Sequence, residues 1–211
     1  MSSTAQTVRK IPATVTIIAI NVAVFLVAQF LTGTAAWAYD SMALLVLPAR
    51  GYVSPWWTFI TSMFMHGGVI HILCNMFTLY YMGLVIERLY GSARFLAIYF
   101  VSGIAGGLTY VAVNMATGTA GSAVGASGAI FGLFGAYIVM LLIESRHPAL
   151  LPRSVSKAQL SSFLGLIAVN VLISLSPGVA WQAHLGGLLA GGVAGALAYW
   201  RLRRKALGGR R

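Results

Sequence analysis

The sequence predicts an all-α membrane protein, a bundle of six transmembrane helices, from its composition and from the spacing of its apolar segments. Hydrophobic residues make up 59% of the 211 residues, whereas charged residues make up only 8%. A soluble domain typically carries about 25% charged residues, and the three acidic residues of this chain cannot solubilise a surface of that size. We therefore expect residues 1–211 to form one polytopic domain whose solvent is largely lipid.

Six apolar segments reach or approach the length of about 20 residues that a helix needs to cross a hydrocarbon core of ~30 Å. The predicted helices comprise residues 13–31, 69–86, 95–115, 127–143, 160–175 and 182–200. The fourth and fifth segments are short, which predicts that their ends lie within the thickness of the membrane. The apolar run at residues 11–31 exceeds the roughly 7–15 residues of a signal-peptide core, so we expect a retained helix there.

The basic residues are divided so unevenly between the two sides of the predicted bundle that they predict its orientation. With six crossings, every lysine and arginine except Arg50 falls on the side that holds both termini, including a basic tail at residues 201–211. The positive-inside rule then places both termini in the cytoplasm. These helix-flanking positions explain the net charge of +11, so we expect the lipid bilayer, and not a nucleic acid, as the partner of the basic residues.

The segment between the first two helices, residues 32–68, is too long for a turn. It contains Trp37, Trp56 and Trp57, and tryptophan favours the boundary between lipid and water. We therefore predict a long outer loop that lies partly in the membrane interface.

Polar side chains inside apolar segments are costly, and by default they face the bundle interior and have a function. The candidates all fall toward the non-cytoplasmic side of the predicted bundle: His66, His71, Asn75, Ser127 and His184. Asn114 and Asn170 also fall in outer halves, but each stands alone, and we interpret them as hydrogen bonders between helices.

Ser127 is the candidate nucleophile because of the segment that precedes it. Residues 117–128 are rich in glycine, serine and alanine and run into a predicted helix, whose first N–H groups have no partner within the helix. Such groups are the donors that an oxyanion needs. Backbone of this kind persists at membrane depth only where it is buried in protein or lines a water-filled cavity. A serine that merely packs between helices is the alternative interpretation.

His184 is the candidate general base. Small residues recur every four positions around it, at 183, 187, 191 and 195, and a matching series occurs at 128, 132 and 136. Such stripes let two helices approach closely, which would bring Ser127 and His184 together near the outer ends of their helices. An imidazole within hydrogen-bond reach can take the serine proton. No acidic residue falls near that end of either helix, so the pattern favours a Ser-His dyad over a triad.

His71 and Asn75 are four residues apart and share one face of the second helix. As neutral donors they suit the stabilisation of an oxyanion. The alternative is a metal site formed by His66, His71 and His184, but the spacing of His66 and His71 does not place two ligands side by side, and no carboxylate joins the cluster. Cys74, the single cysteine, is interpreted as a small packing residue.

These residues resemble the signature motifs of rhomboid intramembrane proteases of the bacterial type: His66-x4-His71-x3-Asn75, Gly125-Ala-Ser127-Gly and Ala-His184-Leu-Gly-Gly, in order and on the second, fourth and sixth helices. The resemblance implies a rhomboid-type bundle and a serine endopeptidase that hydrolyses peptide bonds in or beside transmembrane segments of single-span proteins, without metal or cofactor. Ser127 would attack and His184 would act as base. The Ser127 backbone N–H, His71 and Asn75 would form the oxyanion hole, with His66, Gly125 and Phe131 in support.

Two positions depart from the family pattern. Many rhomboid proteases carry Trp-Arg-x-x-Thr in the outer loop, where this chain has Thr58 after Trp57, and a tyrosine four residues after the serine, where it has Phe131. The phenyl ring can still pack against His184 but cannot donate a hydrogen bond. Glu87 matches a structural carboxylate of the family, and we expect it to pair with Arg88 or Arg94.

Two other functions stay open from the sequence. One is a catalytically inactive rhomboid-like protein that binds transmembrane helices, and the other is a small transporter with His71, Asn75 and His184 as its polar pathway. The resemblance and the charge pattern together predict a multi-pass protein of a bacterial plasma membrane, with the active site opening toward the extracytoplasmic side.

Overall fold

A computed structural model of the chain describes residues 10–30 and 34–208. In chain order its elements are α1 (Pro12–Phe30), α2 (Thr34–Met42), β1 (Leu44–Leu47), a 3-10 turn (Pro48–Arg50), β2 (Tyr52–Val53), α3 (Thr58–Thr61), a second 3-10 turn (Ser62–Phe64), α4 (Val69–Tyr90), α5 (Ser92–Thr117), β3 (Gly121–Ala123), α6 (Ser127–Arg146), α7 (Arg153–Ser174) and α8 (Trp181–Gly208). Arg9, Leu31, Arg210 and Arg211, on which parts of the predicted topology depend, lie outside the described residues.

The predicted all-α membrane fold is confirmed. Six of the described helices, α1 and α4 to α8, are long and apolar enough to cross a membrane. Since they alternate in direction, α4, α6 and α8 begin at one end of the bundle. We call it the sheet end because strands β1 to β3 lie there. The opposite end, where Arg88, Arg94, Arg146 and Arg153 lie, is the basic end. Helices α4, α5, α6 and α8 extend beyond the predicted apolar segments, and α7 begins earlier than predicted. Helices α6 and α7 have 20 and 22 residues because helical hydrogen bonding continues into their charged flanks. Residues 201–208 of the predicted tail likewise belong to α8.

A small antiparallel sheet, which the sequence did not predict, lies at the sheet end, with β1 and β2 in the long outer loop and β3 in the segment between α5 and α6. Its strand order is β2-β1-β3, with Val46 opposite Val53 and Leu45 opposite Ser122. The Ser54 hydroxyl accepts a hydrogen bond from the Leu45 N–H (2.9 Å). Because β3 lies just before α6, the sheet ties the outer loop to the segment that leads into Ser127.

The close contact between α6 and α8 depends on glycine. A Cβ atom at Gly187 would collide with the carbonyl oxygen of Gly128, and one at Gly191 would collide with the backbone of Gly132. The two backbones can therefore touch only because no side chain separates them. This contact brings the first turns of α6 and α8 together at the sheet end.

At the basic end, two buried carboxylates hold neighbouring segments. Glu87 accepts hydrogen bonds from the N–H groups of Ala13 and Thr14 (2.9 and 2.8 Å) and from the hydroxyls of Thr14 and Ser92 (2.6 Å each). Glu87 therefore caps α1, whose first N–H groups have no partner within the helix, a role that the sequence did not predict. Glu144 accepts hydrogen bonds from the N–H groups of residues 149–151 and from the Tyr199 hydroxyl.

Candidate active site

Ser127 is the first residue of α6 and lies at the sheet end. Gly125, two residues earlier, has a φ of +119°, a backbone conformation that only glycine adopts readily. The Gly125 N–H donates a hydrogen bond to the carbonyl of Ser62 (2.9 Å), which anchors the turn to the outer loop. The turn thereby presents the Ser127 side chain at the start of the helix, where the first backbone N–H groups have no intrahelical acceptor.

His184 lies in the first turn of α8 and is buried. Its Nε2 is 2.8 Å from Ser127 Oγ, within hydrogen-bond distance. Its Nδ1 is 2.6 Å from the hydroxyl oxygen of Ser174, the last residue of α7. The imidazole therefore joins two serine hydroxyls that are contributed by two different helices.

The ring of Phe131 stacks on the imidazole of His184. The two ring centroids are 4.3 Å apart and the planes are inclined by only 7°. Phe131 is one turn after Ser127 on α6, so the helix that presents the serine also supports one face of the histidine ring. This contact needs no phenolic hydroxyl.

His71 and Asn75 lie side by side on α4. The Nδ1 of His71 accepts a long hydrogen bond from the Gly67 N–H (3.4 Å), which favours the neutral tautomer with the ring proton on Nε2. This Nε2 faces Gly125: a Cβ atom there would be only 2.7 Å from it. The amide nitrogen of Asn75 donates one of its two hydrogens to the carbonyl of His71 (2.9 Å), and its second hydrogen remains for another acceptor.

His66 lies just before α4 and is almost completely buried, with 2% of its surface exposed. Its ring contacts that of His71 edge to face, with centroids 5.0 Å apart. Burial, with a smaller contribution from the neighbouring His71, lowers the pKa of His66 to about 4. His66 is therefore a neutral packing partner of His71 near pH 7.

A cavity of about 600 Å³ connects these residues. Its lining includes His71, Asn75, Ser127, Phe131, Ser174 and His184. Tyr39 and Cys74 also line it, and neither was a predicted site residue. Cys74 is exposed, so its interpretation as a packing residue is wrong. Cys74 is three residues after His71 on α4, and this spacing is the sequence signal that could have placed it at the site.

The two isolated asparagines behave differently. Asn114 accepts a hydrogen bond from the Gln182 amide (3.2 Å), which links α5 to α8 as expected. Asn170 instead donates to the carbonyl of Leu166 in its own helix (2.9 Å), so the predicted interhelical role is wrong for this residue. Its backbone carbonyl accepts a hydrogen bond from the Ser174 hydroxyl (2.7 Å).

The fold and the site together define a class of molecule. It is a polytopic membrane protein in which a buried histidine contacts a serine at the start of a helix. The family model of the Rhomboid domain matches residues 53–201. The chain belongs to the rhomboid family.

Several known proteins are similar to this chain. Over 64% of the chain, it is 38% identical to the protein named "RHOMBOID-like protein 6, mitochondrial" of Arabidopsis thaliana, of which the match covers 41%. It is also 38% identical to the "Putative rhomboid protease YdcA" of Bacillus subtilis, of which the match covers 64%. The identity to the "Rhomboid protease AarA" of Providencia stuartii is 33%, over 53% of that protein. The chain therefore spans less than two thirds of the length of each of these relatives.

Proposed function

We propose that this protein is an intramembrane serine endopeptidase that uses a Ser127–His184 dyad. The observation that carries the proposal is the 2.8 Å contact between Ser127 Oγ and His184 Nε2 on the wall of a cavity within a bundle of apolar helices. A nucleophile needs a base at this distance. Membership of a family in which several relatives are named proteases supports the same reaction.

In the proposed reaction, Ser127 Oγ attacks the carbonyl carbon of the scissile peptide bond while its proton passes to His184 Nε2. The tetrahedral intermediate collapses, the C–N bond breaks, and His184 returns the proton to the leaving amine. An ester with Ser127 remains. A water molecule then gives a proton to His184 and attacks this ester, and His184 restores the proton to Ser127 Oγ as the acid leaves.

The negative charge that develops on the carbonyl oxygen requires donors. The proposed donors are the Ser127 backbone N–H, His71 Nε2–H and the amide of Asn75. Support comes from the orphan N–H groups at the start of α6, from the acceptor role of His71 Nδ1, and from the location of His71 and Asn75 on the same cavity wall. Loss of one such donor typically lowers kcat about 100- to 1,000-fold.

The metal alternative is less compatible with this geometry. A protein metal site usually needs at least three ligands close together, and among the described residues no three histidine, cysteine, aspartate or glutamate side chains are grouped in this way. The proposed dyad requires only the contact of His184 Nε2 with Ser127 Oγ.

The proposed substrates are transmembrane segments of single-span membrane proteins. We further propose a bacterial plasma membrane location, with both termini in the cytoplasm and the cavity opening toward the extracytoplasmic side. The positive-inside rule supports this orientation, because Arg88, Arg94, Arg146 and Arg153 flank helices at the basic end, whereas the cavity lies at the sheet end.

The test is cleavage of a tagged single-span substrate by the protein purified in mild detergent. Wild type is expected to cleave with and without a chelator, whereas Ser127→Ala and His184→Ala are expected to be inactive. Ser161→Ala and His147→Ala, which change exposed residues away from the cavity, serve as matched controls and are expected to keep full activity.

The other outcomes identify the competing functions. Binding of the substrate helix without cleavage by folded wild-type protein would favour the helix-binding function. Solute flux that is unaffected by Ser127→Ala would favour a transporter. Cleavage by Ser127→Ala at the wild-type rate would refute the proposed mechanism.

A further inference from the structure

Ser174, which no sequence motif includes, contacts the nitrogen of His184 that faces away from Ser127. Ser174 is the final residue of α7 and is 4% exposed. This burial is unusual for its helix, because only Ser156, Ile167 and Ser174 are buried along the whole of α7. The end of α7 therefore packs against the rest of the bundle at Ser174. There the Ser174 hydroxyl oxygen is 2.6 Å from His184 Nδ1.

The second contact of Ser174 determines the direction of the first. Its hydroxyl is 2.7 Å from the backbone carbonyl of Asn170, an oxygen that can only accept a hydrogen bond. A serine hydroxyl has a single hydrogen, which must therefore point to Asn170. Ser174 Oγ then presents a lone pair to His184, so His184 Nδ1 carries the ring proton and donates it.

This arrangement selects one tautomer of the neutral imidazole. With the proton on Nδ1, the lone pair of His184 is on Nε2, the atom that faces Ser127 Oγ at 2.8 Å. A general base needs its lone pair at that atom. When Nε2 takes up the proton during the reaction, the imidazolium donates more strongly from Nδ1, and Ser174 Oγ remains in place to accept.

We propose that Ser174 is a positioning residue of the dyad, which fixes the tautomer and the orientation of His184 through a chain from the Asn170 carbonyl to Ser127. In serine hydrolases with three-residue sites a carboxylate performs this task. Here the buried carboxylates Glu87 and Glu144 are located at the basic end, and a neutral hydroxyl occupies the position next to Nδ1. The role in catalysis rests on the proposed function, whereas the tautomer assignment does not.

The kinetic test compares Ser174→Ala with two other variants. Loss of the hydrogen-bond partner that orients a metal-bound histidine typically costs about 10- to 100-fold in activity, and by analogy we expect a loss of this size in kcat with little change in KM. Ser174→Thr keeps a hydroxyl that can bond the same carbonyl and is expected to recover most of the activity. Ser156→Ala is the matched control, because Ser156 is also buried on α7 and its hydroxyl donates to the Pro152 carbonyl (3.2 Å) far from the site.

A spectroscopic readout separates this inference from the protease function. The protein has four histidines, so nitrogen-15 spectra of histidine-labelled protein can be assigned with single variants. Wild type is expected to show His184 protonated at Nδ1, and Ser174→Ala is expected to show a mixture of the two neutral tautomers. Unchanged spectra and unchanged kcat in folded Ser174→Ala would overturn the proposal. If wild type does not cleave but the spectra change as expected, the tautomer assignment holds and the proposed function fails.

Discussion

At the scale of single residues, the proposed site depends on keeping one imidazole ring in one orientation. His184 is held at both nitrogens by serine hydroxyls and on one face by Phe131. Phe131 provides this support by packing alone. This explains how a phenylalanine can replace the tyrosine that many family members have at this position.

Substitutions of Phe131 test the packing role. Phe131→Tyr is expected to leave kcat within a few fold of wild type, because the stacked ring is retained. Phe131→Ala is expected to lower kcat and to destabilise the protein by about 3–5 kcal/mol, as removal of a buried phenyl ring typically does. Cleavage rates and thermal unfolding of the two variants measure these effects. An equally active and equally stable Phe131→Ala would contradict the role.

The pH dependence of stability tests the burial of His66. The pKa of this residue is about 4 in the folded protein and about 6.5 in an unfolded chain, so the unfolded chain binds more protons between these values. The free energy of unfolding is therefore expected to be unaffected by His66 above pH 6.5 and to decrease as the pH falls from 6.5 toward 4. Thermal unfolding across this range should show a shallower decrease for His66→Gln. Parallel curves for the two proteins would show that His66 does not contribute.

At the scale of elements, the meeting of α6 and α8 brings Ser127 and His184 together. The sequence predicted this pairing of helices because stripes of small residues have a clear spacing on both of them. It did not predict the sheet, because β1 and β3 are short, far apart in the chain, and lack an alternating apolar pattern. The sequence also did not predict the role of Ser174. A serine at the end of an apolar helix is not distinctive until the histidine beside it is known.

A pair of glycines tests the helix contact. Gly187→Ala would place a methyl group against the carbonyl of Gly128, so it is expected to lower both the melting temperature and the activity. Gly165→Ala, at a helical position on α7 with nothing within 4 Å of the added atom, is expected to be neutral or stabilising, by up to about 1 kcal/mol. Thermal unfolding in detergent compares them. A Gly187→Ala variant as stable as Gly165→Ala would contradict the close contact.

At the scale of the whole molecule, the two ends of the bundle differ in composition and in proposed role. The sheet end contains the cavity and the proposed dyad, and the basic end contains the carboxylates that form hydrogen bonds to neighbouring segments. The six helices could be predicted from the apolar segments of the sequence alone. The capping role of Glu87 could not be predicted, because its partners on α1 are more than 70 residues away in sequence.

Removal of the Glu87 carboxylate is expected to loosen α1 at the basic end. Glu87→Ala would leave the N–H groups of Ala13 and Thr14 without their acceptor, and each hydrogen bond to a charged group contributes about 1.5–3 kcal/mol. We expect a clearly lower melting temperature for Glu87→Ala. Asp40→Ala, which removes an exposed acid, is the control and is expected to match wild type. Equal melting temperatures for the two variants would contradict the capping role.

The most direct test of the central claim is covalent labelling with a fluorophosphonate, a probe that reacts with activated serines and needs no knowledge of the substrate. Peptide mapping of the labelled protein is expected to find the adduct on Ser127, and labelling is expected to be lost in His184→Ala while His147→Ala labels like wild type. Labelling of a different serine, or undiminished labelling of Ser127 in folded His184→Ala, would contradict the claim that His184 activates Ser127.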